Sequence, residues 1–134
     1  MTDPVTTLNI PDRVGSVVAA ALDRKAIDVR VLRLETVCDF TDYFIICSGS
    51  SSRQVEAIAD SVSGSLRDRR VKPLHIEGKR RARWVLMDYG DFIVHIFDLE
   101  QRKRYRLEDM WSDAEDETEI FVPAQTVQAI DSAG

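Results

Sequence analysis

The sequence predicts one α/β domain, a mixed sheet of about five strands flanked by helices. Three observations carry this reading. The run Tyr43-Phe-Ile-Ile-Cys47 is apolar throughout, as a strand covered on both faces must be. Immediately after it, Val55, Ile58, Ala59, Val62 and Leu66 recur at helical spacing, which makes a strand-to-helix crossover. Further on, Trp84 to Asp88 and Phe92 to Phe97 face each other across Tyr89-Gly90, a connection short enough to force an antiparallel hairpin, with Gly90 free to take a positive φ.

The other elements follow in chain order. Residues 1–11 hold Pro4, Thr6, Thr7 and Asn9 without periodicity and read as a flexible lead-in. Asp12 is the expected cap of a first helix, with Val14, Val17, Val18, Ala21 and Leu22 on one face and an end near Lys25. Val29, Val31 and Leu34 among polar alternates predict a strand with one exposed face. Ser51 with Gln54 three residues on forms a capping box that fixes the start of the second helix. Pro73 opens a short strand at Leu74 to Ile76, ended by Glu77-Gly78. A charged helix from about Leu99 leads to Leu107, Met110 and Trp111. The domain is therefore expected over residues 12–112, and residues 113–134 as an acidic tail without order, apart from the isolated Ile120-Phe121-Val122.

Charge is unevenly placed. The formal net charge is -5, yet removing everything after Ser112 takes away 6 acids and no bases, leaving 17 acids against 18 bases. Arg67, Arg69, Arg70, Lys72, Lys79, Arg80, Arg81 and Arg83 oppose only Asp68 and Glu77. That stretch can contact phosphate, or it can be an ordinary solvated face. Cys38 and Cys47 stand without a CxxC pattern or a neighbouring histidine, which points to reduced thiols in a cytosol and away from a zinc site. No apolar run approaches the roughly 20 residues a membrane span needs, so a soluble, cytoplasmic protein is expected.

Two motifs invite enzymatic readings. Gly49-Ser50, between a buried strand and a helix, presents free N–H groups and a positive dipole to a phosphate. A Walker loop needs Lys-Ser or Lys-Thr where Arg53 and Gln54 stand. A nucleotidyltransferase needs a closely spaced carboxylate pair for magnesium, whereas Glu56 and Asp60 lie four apart on one helix. A tight turn leading into a capped helix accounts for the motif without catalysis. His75 and His95 have no nucleophile in a recognisable relation, and His95, between Val94 and Ile96, reads as a hydrogen-bonded core or edge histidine. Asp88 and Asp91 flank the hairpin turn, where side-chain capping explains them. No catalytic residue, metal ligand or cofactor is expected.

The informative cluster is Glu77, Trp84, Leu86, Asp88, Asp91 and Tyr105. Strand alternation puts Trp84, Leu86 and Asp88 on one face, with Val85 and Met87 toward the core. An accessible tryptophan beside carboxylates suits a basic macromolecular partner, while packing of Trp84 under the last helix is the competing structural account.

The runs Thr41-Asp-Tyr-Phe-Ile-Ile-Cys-Ser-Gly-Ser-Ser-Ser-Arg-Gln-Val55, Glu77-Gly78, Trp84-Val-Leu-Met-Asp-Tyr-Gly-Asp-Phe-Ile-Val-His-Ile-Phe97, and Arg104-Tyr105 to Leu107 and Trp111 closely resemble the ribosomal silencing factor (Iojap-like, RsfS) family. The resemblance spans about residues 12–113. It implies a nucleotidyltransferase-like α/β fold without the catalytic carboxylates. It also implies a non-enzymatic function, in which the chain binds protein fourteen of the large ribosomal subunit, sterically blocks association with the small subunit and represses translation under nutrient limitation. The matching exposed positions are Glu77, Gly78, Trp84, Leu86, Asp88, Tyr89, Asp91, Arg104 and Tyr105, with Trp84 as apolar anchor and Glu77, Asp88 and Asp91 as acceptors for a basic partner. A homodimer when free is implied as well. Lys79, Arg80, Arg81 and Arg83 make the loop before Trp84 more basic than is usual in relatives, which raises contact with ribosomal RNA, and the tail after Trp111 is longer and more acidic. A nucleotide-binding domain using the Gly49-Ser50 helix start is the alternative of a different class.

Overall fold

The computed structural model describes residues 8–123. Its centre is a six-stranded sheet in the order β3-β4-β5-β2-β1-β6. The strands are β1 (Ile27–Arg33), β2 (Tyr43–Gly49), β3 (His75–Glu77), β4 (Trp84–Asp88), β5 (Phe92–Asp98) and β6 (Glu115–Asp116). The helices are α1 (Ile10–Asp23), α2 (Ser52–Asp68), α3 (Leu99–Tyr105), α4 (Leu107–Met110) and α5 (Thr118–Phe121). Only β2 and β5 run parallel, and they occupy the middle of the sheet, where α2 lies on the route between them.

Alternation along the central strands divides the buried side chains into two layers. Val31, Tyr43, Ile45, Cys47, Val85, Met87, Phe92, Val94 and Ile96 point toward α1 and α2, meeting Val14, Val17, Val18, Val55, Ile58, Val62 and Leu66. Leu32, Leu34, Phe44, Ile46, Ile93 and Phe97 point the other way and meet Leu107, with Trp84, Leu86 and Trp111 packed at the edge. The first layer is roofed by two long helices, the second by short ones. The second therefore retains open surface.

Local chemistry fixes the boundaries. At α2 the Ser51 hydroxyl accepts the Gln54 N–H at 3.1 Å, one half of the expected capping box, while the Gln54 side chain reaches back to the N–H of Ser50 and not to that of Ser51. The first helix begins earlier than expected, because Asn9 and not Asp12 is the cap. The Asn9 Oδ1 accepts the Asp12 N–H at 2.8 Å, and Pro11, with no N–H to satisfy, sits in the first turn. The lead-in is thus shorter than residues 1–11, since Ile10 and Pro11 are helical, and residues 1–7 lie outside the described residues.

Strand β1 was expected to expose one face. The alternation holds over its first half, with Asp28 exposed and Arg30 half-buried beside buried Val29 and Val31, but Leu32 on the other face is buried as well. The covering of its outer edge comes from the acidic segment, which was expected to lack order past Ser112. Glu115 and Asp116 pair with Arg33 and Leu32 as β6, and α5 follows, with Val122 buried and Phe121 edge-on to Tyr43. Order there comes from partners far away in sequence. Asp116 meets Arg30, Glu117 meets Arg33, and the Thr118 hydroxyl accepts the Val31 N–H at 3.0 Å. Residues 124–134, the rest of the predicted tail, lie outside the described residues.

Candidate macromolecular docking face

The candidate site lies on the sheet face turned away from α1 and α2, where β3, β4 and β5 meet. Register decides which side chains share it. Trp84 pairs with Phe97, Leu86 with His95 and with Glu77, and Asp88 with Ile93 and with His75, so all of these project from one face. Trp84, Leu86 and Asp88 are half-buried, while Val85 and Met87 are buried beneath the helices, as the alternation predicts.

Trp84 is held on three sides. Its ring stacks on Phe97 with centroids 4.8 Å apart, Tyr105 from α3 tilts against it at 4.8 Å, and its indole Nε1–H donates to Nδ1 of His95 at 3.2 Å. The packing against α3 and the partial exposure are both real, so the tryptophan is a seated anchor and not a free one. His95 in turn packs edge-on against Phe44 at 4.5 Å, and burial pushes its pKa down to about 3. Phe44 touches Trp111 at 5.7 Å, and Trp111 touches Phe40 at 6.1 Å. A chain of rings thus crosses the face from Tyr105 to Phe40. Phe40 is largely exposed at its far end, Met110 is largely exposed at the end of α4, and Leu99 and Tyr105 are about half exposed.

The polar predictions fare differently from one another. Glu77 is exposed on β3. Asp88 serves the hairpin, its Oδ1 accepting the Gly90 N–H at 2.8 Å, with Gly90 at φ +87°. Asp91 is exposed past the turn, 3.8 Å from Arg13 of α1. Arg104 is exposed at the end of α3 beside Tyr105. Gly78 acts through its backbone: it has φ +81°, and a Cβ there would stand 2.0 Å from the carbonyl oxygen of Trp84. Tyr89 is a correction. It is odd-numbered like Val85 and Met87, so it falls on the opposite side from Trp84 and lies buried in the helix-side core, stacked on Phe92 at 5.0 Å. It cannot offer its ring to a partner on this face.

The basic loop leads directly into Trp84. Lys79 is 2.7 Å from Asp60 of α2, and Arg83 is 3.3 Å from Asp98 and 3.6 Å from Glu100, which fastens both ends of the loop. Arg80 and Arg81 are exposed between them.

The Gly49-Ser50 helix start is filled by the chain itself. The Gln54 Oε1 accepts from the Ser50 N–H at 2.6 Å and from the Ser50 hydroxyl at 2.8 Å, while its Nε2 donates to the carbonyls of Arg24 and Lys25. Nearby, Arg102 is buried and donates to the Ser48 hydroxyl, to both the carbonyl and the carboxylate of Asp28, and to Glu108. Among the described residues no group of three His, Cys, Asp or Glu side chains is placed to hold a metal ion, and no helix is long and apolar enough to cross a membrane.

Sequence reasoning missed Phe40 at the open end of the ring chain, and the bond from Trp84 to His95. The aromatic residues were visible, but only the register brings them into line.

Residues 7–133 match the model of the family described as ribosomal silencing factor during starvation. The chain belongs to the ribosomal silencing factor family. The ribosomal silencing factor RsfS of Bacillus subtilis is 41% identical over 96 residues, covering 72% of this chain and 81% of that protein. A solved structure of a Chromobacterium violaceum protein superposes with a TM-score of 0.77 at 30% identity, over 78% of this chain and 88% of the other. A mouse protein named mitochondrial assembly of ribosomal large subunit protein 1 is 29% identical over 102 residues, covering 74% of this chain and 45% of its own length. The mixed sheet with flanking helices described above is the architecture shared with the solved relative.

Proposed function

We propose that this silencing factor docks on the large ribosomal subunit at its protein fourteen, using the open face of β3, β4 and β5, and that its bulk then prevents the small subunit from joining. Translation is thereby repressed when nutrients are short, without catalysis and without a cofactor. The family's description as a silencing factor during starvation supports the regulatory setting, and the large-subunit wording in the name of the mouse relative supports the choice of subunit. The observation that carries the reading is Trp84, half-buried and fixed by Phe97, Tyr105 and His95, with Leu86 and exposed Glu77 beside it. A rigid aromatic with a polar rim is the usual composition of an interface hot spot.

In this reading Trp84 and Leu86 fill an apolar recess of the partner. Glu77 and Asp91 accept hydrogen bonds from its lysines or arginines, and Asp88 supports the hairpin that presents them. Arg104 and Tyr105 border the same contact. Arg80 and Arg81 reach ribosomal RNA beside the protein contact, while Lys79 and Arg83 hold their loop in place. The factor works in the cytoplasm and is a homodimer when free.

Co-sedimentation with isolated large and small subunits, wild type beside Trp84→Ala, tests the proposal, followed by a subunit-joining assay. Binding confined to the large subunit and weakened by roughly 2 kcal/mol or more in the variant is expected, together with loss of joined ribosomes. Absence of binding at low salt would refute it. Magnesium-dependent nucleotide binding would instead favour the helix-start reading, which must displace Gln54 from Ser50.

A further inference from the structure

We propose that His95 is a positioning residue for docking: it accepts the Trp84 indole N–H and so locks the ring in the pose that meets the partner. The inference rests on the reading of Trp84 as the docking anchor.

An indole nitrogen can only donate. In the pair Trp84 Nε1 to His95 Nδ1, separated by 3.2 Å, Nδ1 must therefore carry a lone pair, which makes His95 the neutral Nε2–H tautomer. Burial keeps it neutral at physiological pH, with the pKa lowered to about 3. The ring cannot turn freely, because Phe44 packs edge-on at 4.5 Å and Phe97 lies parallel at 6.3 Å. Leu86, its cross-strand partner, covers the adjoining position. The acceptor for Trp84 is thus rigid, uncharged and built into the central sheet.

This arrangement has a consequence for the partner. The polar atom of Trp84 is already satisfied inside the protein, so a docking surface need supply no acceptor for it. What Trp84 offers is ring surface, suited to aliphatic side chains or to a cation over the π face. The ring has also lost its rotational freedom before the partner arrives, and that entropy cost does not fall on the binding step.

The test combines indole spectroscopy with co-sedimentation on the large subunit. The Trp84 indole resonance is assigned by its loss in Trp84→Phe. A long-range nitrogen-proton spectrum of the wild type at neutral pH should show His95 protonated on Nε2 only. His95→Leu removes the acceptor, and should shift the Trp84 indole proton upfield and weaken binding roughly fivefold. His95→Asn, whose Oδ1 can take the place of Nδ1, should restore both. A proton on Nδ1, an unmoved indole resonance in His95→Leu, or wild-type binding by that variant would overturn the proposal. If His95→Leu does not fold, His95→Gln, whose longer side chain misplaces the acceptor, takes its place: the same indole shift and weaker co-sedimentation are expected, and wild-type values of both would overturn the proposal. Wild-type binding by Trp84→Ala would sink the docking reading and with it the purpose given to His95, whereas the spectra judge the bond between the two residues independently.

Discussion

The guanidinium of Arg102 donates from Nη1 to the Ser48 hydroxyl at 2.9 Å, joining α3 to the end of β2 across 54 residues of sequence. The same side chain binds Glu108 at 2.9 Å and the Asp28 carbonyl at 3.0 Å, so one buried arginine holds two helices and two strands. Asp28 has φ +49°, where the pairing of β1 with β2 is interrupted, and the arginine bonds that irregular backbone.

Removing this arginine should be among the most damaging single changes. Arg102→Ala leaves the Glu108 carboxylate and the Ser48 hydroxyl without their donor in a buried setting. Loss of about 3 kcal/mol or more is expected, seen as a lower urea midpoint in equilibrium unfolding. Arg102→Lys should recover little, since an ammonium cannot reproduce a planar fork spread over three groups. Stability within about 0.5 kcal/mol of the wild type in Arg102→Ala would contradict the structural role assigned to the network.

Gly78 sets how closely the basic loop approaches the anchor strand. A Cβ at this position would lie 2.0 Å from the Trp84 carbonyl oxygen, and φ is already +81°. Gly78→Ala must push the loop away from β4 or deform it, at a cost of about 1–3 kcal/mol. Thermal unfolding should report the loss, and the Trp84 fluorescence maximum should move as its surroundings change. A folded variant with unaltered melting and emission would show that the loop accommodates the methyl group.

What could be read in the sequence was what depends on near neighbours. The Ser51 cap needs Gln54 three residues on, and the hairpin needs Gly90 between two apolar runs. The place of Tyr89 was also legible by strand parity, but the family motif led to an exposed assignment that parity forbids. The β6 strand could not be read, because Glu115 and Asp116 show no apolar alternation and their partners Arg30 and Arg33 stand more than 80 residues earlier. The same holds for the Trp84–His95 bond, which follows from the register of Leu86 with His95 and not from either residue's neighbours.

The attachment of β6 should weaken in acid. Burial alone would raise the Asp116 pKa, but hydrogen bonds from Thr118 and Arg30 outweigh it and hold the group below its ordinary value of 3.8. A carboxylate with a depressed folded-state pKa stabilises fully above the unfolded value, and that contribution is lost as pH falls through the folded one. Amide exchange at Val31, whose N–H is bonded to Thr118, should therefore quicken below about pH 4 relative to the central strands. Asp116→Asn should show the faster exchange already at neutral pH. Equal protection in both proteins would mean that α5 packing, and not the Asp116 contacts, retains the segment.

His95 predicts a second and wider acid window. Its folded-state pKa of about 3 lies below the ordinary 6.5, so between these values the unfolded chain binds a proton that the native protein refuses. Stability must then rise with pH across that interval, being fully present above about 6.5 and progressively lost toward about 3. The opposing cost is easy to locate: protonating Nδ1 sets a second donor against the Trp84 indole N–H, and it places a charge among Phe44, Phe97 and Trp84. Melting temperatures measured from pH 7.5 to 4.0 should fall for the wild type and fall less for His95→Asn, which has no proton to gain. The difference between the two curves isolates this group from the carboxylates, whose titration both proteins share. Parallel curves would mean that His95 takes up its proton equally in the folded and unfolded chains, and a neutral acceptor held for the Trp84 indole would then be untenable.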